Sequence, residues 1–208
     1  RMPDTGQTTC YNTSTNFALS SCTGTGQDGE FGIDTDAAAN TNADGVVGFS
    51  YIKLDSTGKP LAPNATSWDC VIDNITGLMW ENKVSASDTT HLRSSAHKYT
   101  WYSTKSAING GDAGAVGNST SCNSTIQGNT CNTQAYVAAV NAAGLCGKTD
   151  WRLPARDELR SIVNYGAKNP AIDANYFANT QNAGYYTSSV STWPAYLSQS
   201  YSVQDRKS

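Results

Sequence analysis

Residues 68–82 have the sequence Trp-Asp-Cys-Val-Ile-Asp-Asn-Ile-Thr-Gly-Leu-Met-Trp-Glu-Asn. Two apolar runs flank the Asn-Ile-Thr-Gly segment, and Asn and Gly readily adopt the backbone conformations that a tight turn needs. The pattern predicts a β-hairpin with a large apolar surface to bury. Upstream, residues 49–55 alternate in polarity and end at Ser-Thr-Gly, which predicts another strand followed by a turn.

Two helices are predicted downstream of the hairpin. Thr133 is a good N-cap, apolar residues then recur at helical spacing, and Gly144 ends the run. The second helix is expected after Pro154, with acidic residues in its first turn, where the helix dipole favours negative charge, and with Gly166 at its end. Between the helices, Arg152 is expected to be structural and to bond nearby carbonyl groups or the carboxylate two residues before it.

The composition excludes several classes of protein. The chain has 208 residues, 15% of them charged, and a formal net charge of −3. It carries no basic excess to neutralise a phosphate backbone, so nucleic acid is not an expected partner. No stretch reaches the roughly 18 apolar residues of a membrane-spanning helix, so direct membrane insertion is not expected either. The abundance of Ser, Thr, Asn and Gly fits a loop-rich domain with strands better than a helical bundle.

Six Cys residues in a polar chain predict three disulfides and an oxidising compartment. Of the many pairings that six Cys allow, two are local, Cys10–Cys22 and Cys122–Cys131, and each closes a loop rich in Ser, Thr and Asn. That leaves Cys70–Cys146 as a long-range link between the hairpin and the end of a helix. Zinc binding is the alternative, and it is disfavoured because no two Cys residues have the Cys-x2-Cys spacing.

We predict an α+β fold in one structural unit with two parts. Residues 1–67 are expected to form an irregular, disulfide-tied N-terminal extension with one strand. Residues 68–208 are expected to form the core. The extension is polar and Gly-rich with few apolar residues, so it lacks the means to fold as an independent domain.

Four segments resemble one protein family. They are residues 3–7 (Pro-Asp-Thr-Gly-Gln), 71–81, 147–159 and 169–173. The two middle segments are specific, because one carries Asp-Asn-x-Thr-Gly-Leu-x-Trp-Glu in a hairpin and the other Asp-Trp-Arg-Leu-Pro before a helix. Together they resemble the C-terminal domain family of the Legionella collagen-like adhesin, strongly over residues 68–208 and weakly over residues 1–67.

The resemblance implies a C-type-lectin-like fold with two helices, short antiparallel strands and long disulfide-tied loops. It also implies a bacterial protein that is secreted or exposed at the cell surface and linked to adhesion. The adhesin itself is implicated in binding sulfated polysaccharides. Because unrelated functions share folds, the resemblance alone does not fix the ligand.

The chain departs from the family pattern at its C-terminal end. The family has a further strand of the Tyr-Val-Arg-x-Val-Arg kind after a segment similar to residues 205–208, and this chain stops at Ser208. The core is therefore expected to lack its C-terminal strand, which would leave an open sheet edge. Either the sequence is a fragment, or a neighbouring subunit completes the sheet.

Aromatic residues of the C-terminal segment are the predicted ligand site. A flat ring can cover the apolar face of a sugar while Asn and Ser side chains bond its hydroxyls. Arg206 and Lys207 could pair with a sulfate group. The alternatives are that the rings fill the core and that the two cations are surface charges without a role. The aromatic candidates are Tyr185, Tyr186, Trp193, Tyr196 and Tyr201.

One short loop resembles half of a calcium-binding loop. Oxygen-bearing side chains alternate there before Gly45, and glycine permits the sharp turn that such loops need. Tyr51 stands where a complete loop of this kind has its bidentate Glu, so a solvated acidic turn is the alternative. The candidate ligands are Asp34, Asp36, Asn40, Asn42 and Asp44. No other cofactor is expected.

The sequence contains no nucleophile elbow, no zinc-protease motif and no phosphate-binding loop, so we do not expect an enzyme. We expect a secreted or surface-exposed binding module that mediates adhesion by recognising a glycan, such as a sulfated polysaccharide, or another cell-surface ligand. The alternative is a structural subunit of an extracellular filament or matrix. In that case subunits would self-associate because a strand of one completes the sheet of the next.

Overall fold

A computed structural model describes most of the chain. The described residues are 4–12, 14, 17–31, 44–45, 48–117, 121–122, 124–126, 128, 130–189, 199–200 and 203–205, the last two ranges as backbone strands. The helices are α1 (Asp28–Phe31), α2 (Ser106–Asn109), α3 (Thr133–Ala142) and α4 (Arg156–Arg160). The strands are β1 (Tyr51–Leu54), β2 (Cys70–Asp73), β3 (Leu78–Glu81), β4 (Tyr185–Tyr186), β5 (Gln199–Ser200) and β6 (Val203–Asp205).

The main sheet is antiparallel and has the strand order β1-β2-β3-β6. The predicted strand and hairpin are both confirmed as β1 and β2–β3. The turn of the hairpin is held by the Asp73 carboxylate, which accepts hydrogen bonds from Ile75 N–H (2.9 Å) and from the Thr76 hydroxyl (2.6 Å). Gly77 completes the turn at φ +76°, a left-handed conformation that glycine adopts without strain.

Side chains pack against both faces of the sheet. On one face, Leu54, Ile72 and Met79 pack with α3 and with Trp151. On the other face, Tyr51, Val71 and Trp80 belong to a second buried cluster that includes residues from the loops after α4. The remaining members of this second cluster are Phe49, Leu78, Ile162, Tyr176 and Phe177. The structure thus confirms a mixed helix-and-sheet fold with a sheet at its centre.

The two predicted helices are present as α3 and α4, but their ends differ from the prediction. The N-cap of α3 is Asn132, whose side chain accepts a hydrogen bond from Ala135 N–H (2.8 Å), and not Thr133. The Thr133 hydroxyl instead donates to the carbonyl of Tyr102. Helix α4 ends at Arg160, well before Gly166, and the hydroxyl of Ser161 donates to the last-turn carbonyl of Glu158 (2.7 Å). Such side-chain bonds compete with continued helix.

Three disulfides with the predicted pairing tie the loops together. Cys70–Cys146 attaches β2 to the turn that follows α3, and the two others close local loops. The N-terminal extension is fixed to the core at residues 4–6, because the carbonyl of Thr5 accepts a hydrogen bond from Tyr165 N–H (2.8 Å). Gly166 is required at this contact, since an added Cβ would lie 2.3 Å from the Gly6 carbonyl oxygen.

The two edges of the main sheet differ. The outer edge of β1 is covered by the chain itself, because Leu61 N–H donates to the Lys53 carbonyl (2.8 Å) and Tyr51 N–H donates to the Asp44 carbonyl (2.5 Å). At the other side of the sheet, β6 pairs with β3. Within the described part of the main sheet, no further strand pairs with the outer side of β6. None of the helices in the described ranges is both long and apolar enough to cross a membrane.

Candidate functional site

A surface groove lies where β1 and the loop before β2 meet the segment around residue 176. Two hydrogen bonds fix its walls. The Trp68 indole donates through Nε1 to the Tyr176 carbonyl (2.8 Å), and the Lys53 ammonium donates to the Ala65 carbonyl (2.9 Å). The groove has a volume of about 440 Å³, enough for a small ligand or part of a polymer. Its lining residues are Lys53, Pro63, Asn64, Ala65, Trp68, Ala174, Asn175 and Tyr176.

Lys53 is the charged group of the groove. Its Nζ lies 3.8 Å from the centre of the Trp68 ring and 5.3 Å from the centre of the Tyr176 ring. The side chain is only 6% exposed, and no carboxylate within the described residues forms an ion pair with it. Burial lowers the pKa of the Lys53 ammonium, and the charge of Asp173 opposes this shift.

The ammonium retains hydrogen-bonding capacity. A protonated lysine has three N–H donors, and among the described residues only the Ala65 carbonyl accepts from Lys53. Within the described ranges, no other protein group accepts from its remaining donors. These donors can therefore bond oxygen acceptors that a ligand brings into the groove.

Other groups around the ammonium complement it. Trp68 is half-buried, so part of its indole ring is open to the groove. Asn64 and Asn175 are exposed, and their side-chain amides have no hydrogen-bond partner in the described part of the chain. An aromatic surface flanked by amides and a cation can hold the apolar face of a sugar ring, bond its hydroxyls and pair with an acidic substituent.

A second polar cluster is fully buried and lies under the sheet. Lys83 Nζ lies 2.7 Å from Glu81 Oε1 and donates to the Tyr136 hydroxyl (2.9 Å), and that hydroxyl donates to Glu81 Oε2. Burial lowers the pKa of Lys83 and raises that of Tyr136. All three residues are buried, and their bonds link β3 to α3, which indicates a structural role.

The predicted aromatic site is only partly described. The Tyr185 hydroxyl accepts a hydrogen bond from Gln181 N–H (2.9 Å), and its ring packs against the second buried cluster. Burial raises the pKa of Tyr185 to about 12. Tyr186 is half-buried, and neither tyrosine lines the groove. Their ligand role stays a prediction. The other candidates, Trp193, Tyr196, Tyr201, Arg206 and Lys207, lie outside the described residues.

The predicted calcium loop is described only at its end. Asp44 accepts a hydrogen bond from the Ser50 hydroxyl (2.5 Å), while Asp34, Asp36, Asn40 and Asn42 lie outside the described residues. Over the described ranges, no three His, Cys, Asp or Glu side chains are grouped so that they could hold a metal ion. Calcium binding stays a prediction.

Arg152 has the structural role expected from the sequence. Its guanidinium forms two parallel hydrogen bonds with the Glu158 carboxylate, at 2.8 and 2.7 Å, and also donates to the Leu153 carbonyl. The same carboxylate accepts from Ala155 N–H (2.6 Å) at the start of α4. Glu158, in the first turn of α4, is a partner of Arg152 that the sequence did not indicate.

The groove was missed by sequence reasoning. The sequence predicts only that Trp68 begins an apolar hairpin and that Lys53 lies in a strand. The usable signal was the polar, Pro-containing loop of residues 60–67 directly before Trp68, because such loops leave an adjoining aromatic residue partly open to solvent. Nothing in the sequence indicated that Tyr176, more than a hundred residues away, would join them.

Comparisons with known proteins identify one relationship. A family model described as the Lcl C-terminal domain matches residues 69–208, which is most of the chain. The matched range includes α3, α4 and Tyr176. No curated protein and no solved structure matches the chain.

Proposed function

Because the chain belongs to the Lcl C-terminal domain family, we propose that it is an adhesion module that binds a polysaccharide through the groove around Lys53 and Trp68. Membership of a family named after the collagen-like adhesin is consistent with adhesion and with a surface or secreted location. Aromatic, amide and cationic groups converge in this groove. The proposed role is binding and includes no catalytic step.

The buried Lys53 ammonium is the observation that supports this proposal most. It faces a groove, contacts two aromatic rings and keeps donors for which the described part of the chain offers no acceptor. A polysaccharide with acidic substituents, including a sulfated one, supplies both the charge and the oxygen acceptors that the ammonium lacks. The sugar ring would lie against the open part of Trp68, and Asn64 and Asn175 would bond its hydroxyls.

The proposed fold is C-type-lectin-like, as the family resemblance implies. Two longer helices, a central antiparallel sheet and disulfide-tied loops support it. An experimental structure that superimposes on lectin-like domains would establish the assignment, and a different strand order would reject it.

Calcium is proposed only as an additional ligand of the loop that ends at Asp44. Isothermal titration of the metal-free protein with calcium tests this directly. Heat that saturates near one ion per chain would support the site, and an absence of heat would contradict it.

A filament subunit is the second candidate. Among the described strands, β6 is paired on one side only, whereas both sides of β1 are covered. A strand from a neighbour could therefore extend the sheet beside β6. Electron microscopy together with light scattering separates the candidates, because ordered polymers favour the structural role and discrete particles favour the binding module.

The binding proposal is tested with a polysaccharide array that contains neutral, carboxylated and sulfated polymers. Wild-type protein should bind acidic polymers in a saturable manner and bind neutral ones more weakly. Failure to bind any polymer on the array would contradict the proposal. A folded-state check by circular dichroism must accompany a negative result, because loss of the disulfides would also abolish binding.

A further inference from the structure

Residues 84–98 form a loop that Arg93 fastens to the β2–β3 hairpin. The buried guanidinium donates through Nη1 to the carbonyl oxygens of Asp69 (2.9 Å) and Asn82, and through Nη2 to the Asp69 carboxylate. A backbone hydrogen bond from Val84 N–H to the Arg93 carbonyl (3.0 Å) closes the loop. Arg93 is therefore a main attachment of this loop to the hairpin.

The only two His residues of the chain lie in this loop, on either side of Arg93. His91 Nδ1 accepts a hydrogen bond from the Arg93 backbone N–H (3.1 Å), so Nδ1 carries no proton. His97 Nε2 lies 3.0 Å from the His91 carbonyl oxygen. Because a carbonyl can only accept, the proton of His97 is on Nε2. The hydrogen bond at His91 therefore requires the neutral ring, and the bond at His97 places a proton on Nε2.

Protonation of either ring disturbs this arrangement. A proton on His91 Nδ1 would displace the Arg93 backbone donor. A proton on His97 Nδ1 would be buried at a position with no hydrogen-bond partner among the described residues. Burial, and then the charge of Arg93, lowers the pKa of His91. The groups that face the two rings are Arg93, Asp69, Asp88 and Tyr99.

The loop also holds a second segment of the chain. Gln181 Nε2 donates to the Ser95 hydroxyl (3.3 Å), and Asn179 Nδ2 donates to the Lys83 carbonyl just before the loop (3.0 Å). Gln181 in turn bonds the hydroxyl of Tyr185 through its backbone. A change in the loop would therefore reach residues 179–185.

We propose that residues 84–98 are an acid-sensitive latch, in which protonation of His91 opens the loop and releases residues 179–185 from it. This latch is separate from the groove and does not depend on the proposed function. The closed loop disfavours protonation of His91, whereas the open loop allows it. The opening equilibrium therefore rises as the pH falls below the ordinary histidine value of 6.5, by up to about tenfold per pH unit through His91.

Hydrogen exchange of the whole chain, measured by mass spectrometry at pH 7.5 and 5.5 and corrected for intrinsic exchange rates, tests the latch. We expect protection of residues 84–98 and 179–185 to fall about tenfold at the lower pH, while α3 keeps its protection. The double variant His91→Asn/His97→Gln is the matched control. Asn can accept from the Arg93 N–H and Gln can donate to the residue 91 carbonyl, but neither titrates, so its loop should be insensitive to pH.

Three results would overturn the latch: unchanged protection in the wild type, an equal loss in the double variant, or an equal loss in α3, which would indicate global unfolding. If the double variant does not fold, ¹⁵N chemical shifts of the wild-type imidazoles at pH 7.5 decide. Neutral rings protonated at Nε2 on both residues support the latch. A proton on Nδ1 of either ring contradicts it.

Discussion

The Lys53 ammonium lies 3.8 Å from the centre of the Trp68 ring and donates a hydrogen bond to the Ala65 carbonyl. Lys53 belongs to β1, and Trp68 and Ala65 belong to the loop that returns the chain to β2. This contact fixes a long polar loop against the sheet and places a cation at the floor of a groove. A cation over a partly exposed indole ring contributes about 0.5–2 kcal/mol. The same contact therefore stabilises the loop and gives the groove its charged group.

Trp68 should be the main aromatic contact for a bound sugar. Trp68→Ala removes the ring surface, and we expect binding to weaken about tenfold, which corresponds to the loss of roughly 1.4 kcal/mol. Trp68→Phe keeps a ring and loses only the hydrogen bond to Tyr176, so binding should change about threefold or less. Surface plasmon resonance on immobilised polysaccharide measures both variants. Equal losses for Phe and Ala would show that the ring does not contact the ligand.

The buried Glu81–Lys83 pair should be costly to break. Glu81→Gln leaves the Lys83 ammonium buried without its counter-charge, and we expect the free energy of unfolding to fall by about 3–5 kcal/mol. The double variant Glu81→Leu/Lys83→Met removes both charges and should be less destabilised than the single variant. Urea denaturation gives the free energy of unfolding of both variants. A single variant as stable as the wild type would contradict the structural role of the cluster.

The disulfides should contribute unequally. In the chain-entropy account, the 76-residue separation of Cys70 and Cys146 stabilises more than the 9-residue separation of Cys122 and Cys131. Replacing both Cys of the long link by Ala should cost about 4–5 kcal/mol, and replacing both of the short link about 2–3 kcal/mol. Thermal or urea unfolding of the two double variants gives the comparison, and the reverse order would reject the entropic explanation.

The Arg152–Glu158 pair should stabilise the start of α4 in a pH-dependent way. Hydrogen bonding to Arg152, aided by the Ala155 N–H, lowers the pKa of Glu158 below its ordinary value of 4.5. Its contribution is complete above that value and is lost as the pH falls through the lower pKa of the folded state. Because the pair is partly exposed and screened, we expect Glu158→Gln to cost about 0.5–1 kcal/mol at pH 7.

Urea unfolding of wild type and Glu158→Gln at pH 7 and pH 2.5 checks this sign. The difference between them should shrink toward zero at the lower pH, when the wild-type carboxyl is also neutral. A difference that grows on acidification would contradict the assignment.

Local patterns made the main elements of the fold predictable. The Asn-Ile-Thr-Gly turn determines the hairpin, because Asp73 before it and Gly77 within it both favour that turn. Close spacing made two of the disulfides predictable, and the third followed. Helix ends were less predictable, since Asn132 and Thr133 are both good caps and tertiary contacts of Thr133 with Tyr102 selected between them.

The groove could not be predicted because it depends on contacts between distant residues. Trp68 bonds the carbonyl of Tyr176 across 108 positions, and no periodicity links the two. Lys53 fits the alternation of polar and apolar residues in a strand, so the sequence gave no reason to expect a buried cation there. Family resemblance indicated the kind of protein, whereas the position of the groove required the folded chain.

Binding of an acidic polysaccharide by Lys53→Gln, compared with wild type and with the exposed control Lys59→Gln, tests the central claim most directly. Gln keeps a donor for the Ala65 carbonyl and removes the charge, and Lys59→Gln removes the same charge from the surface nearby. We predict that Lys53→Gln weakens binding at least tenfold, in line with a charge-assisted bond of about 1.5–3 kcal/mol, and that Lys59→Gln changes it less than twofold. Equal affinities for all three proteins, each shown to be folded, would contradict binding at this groove.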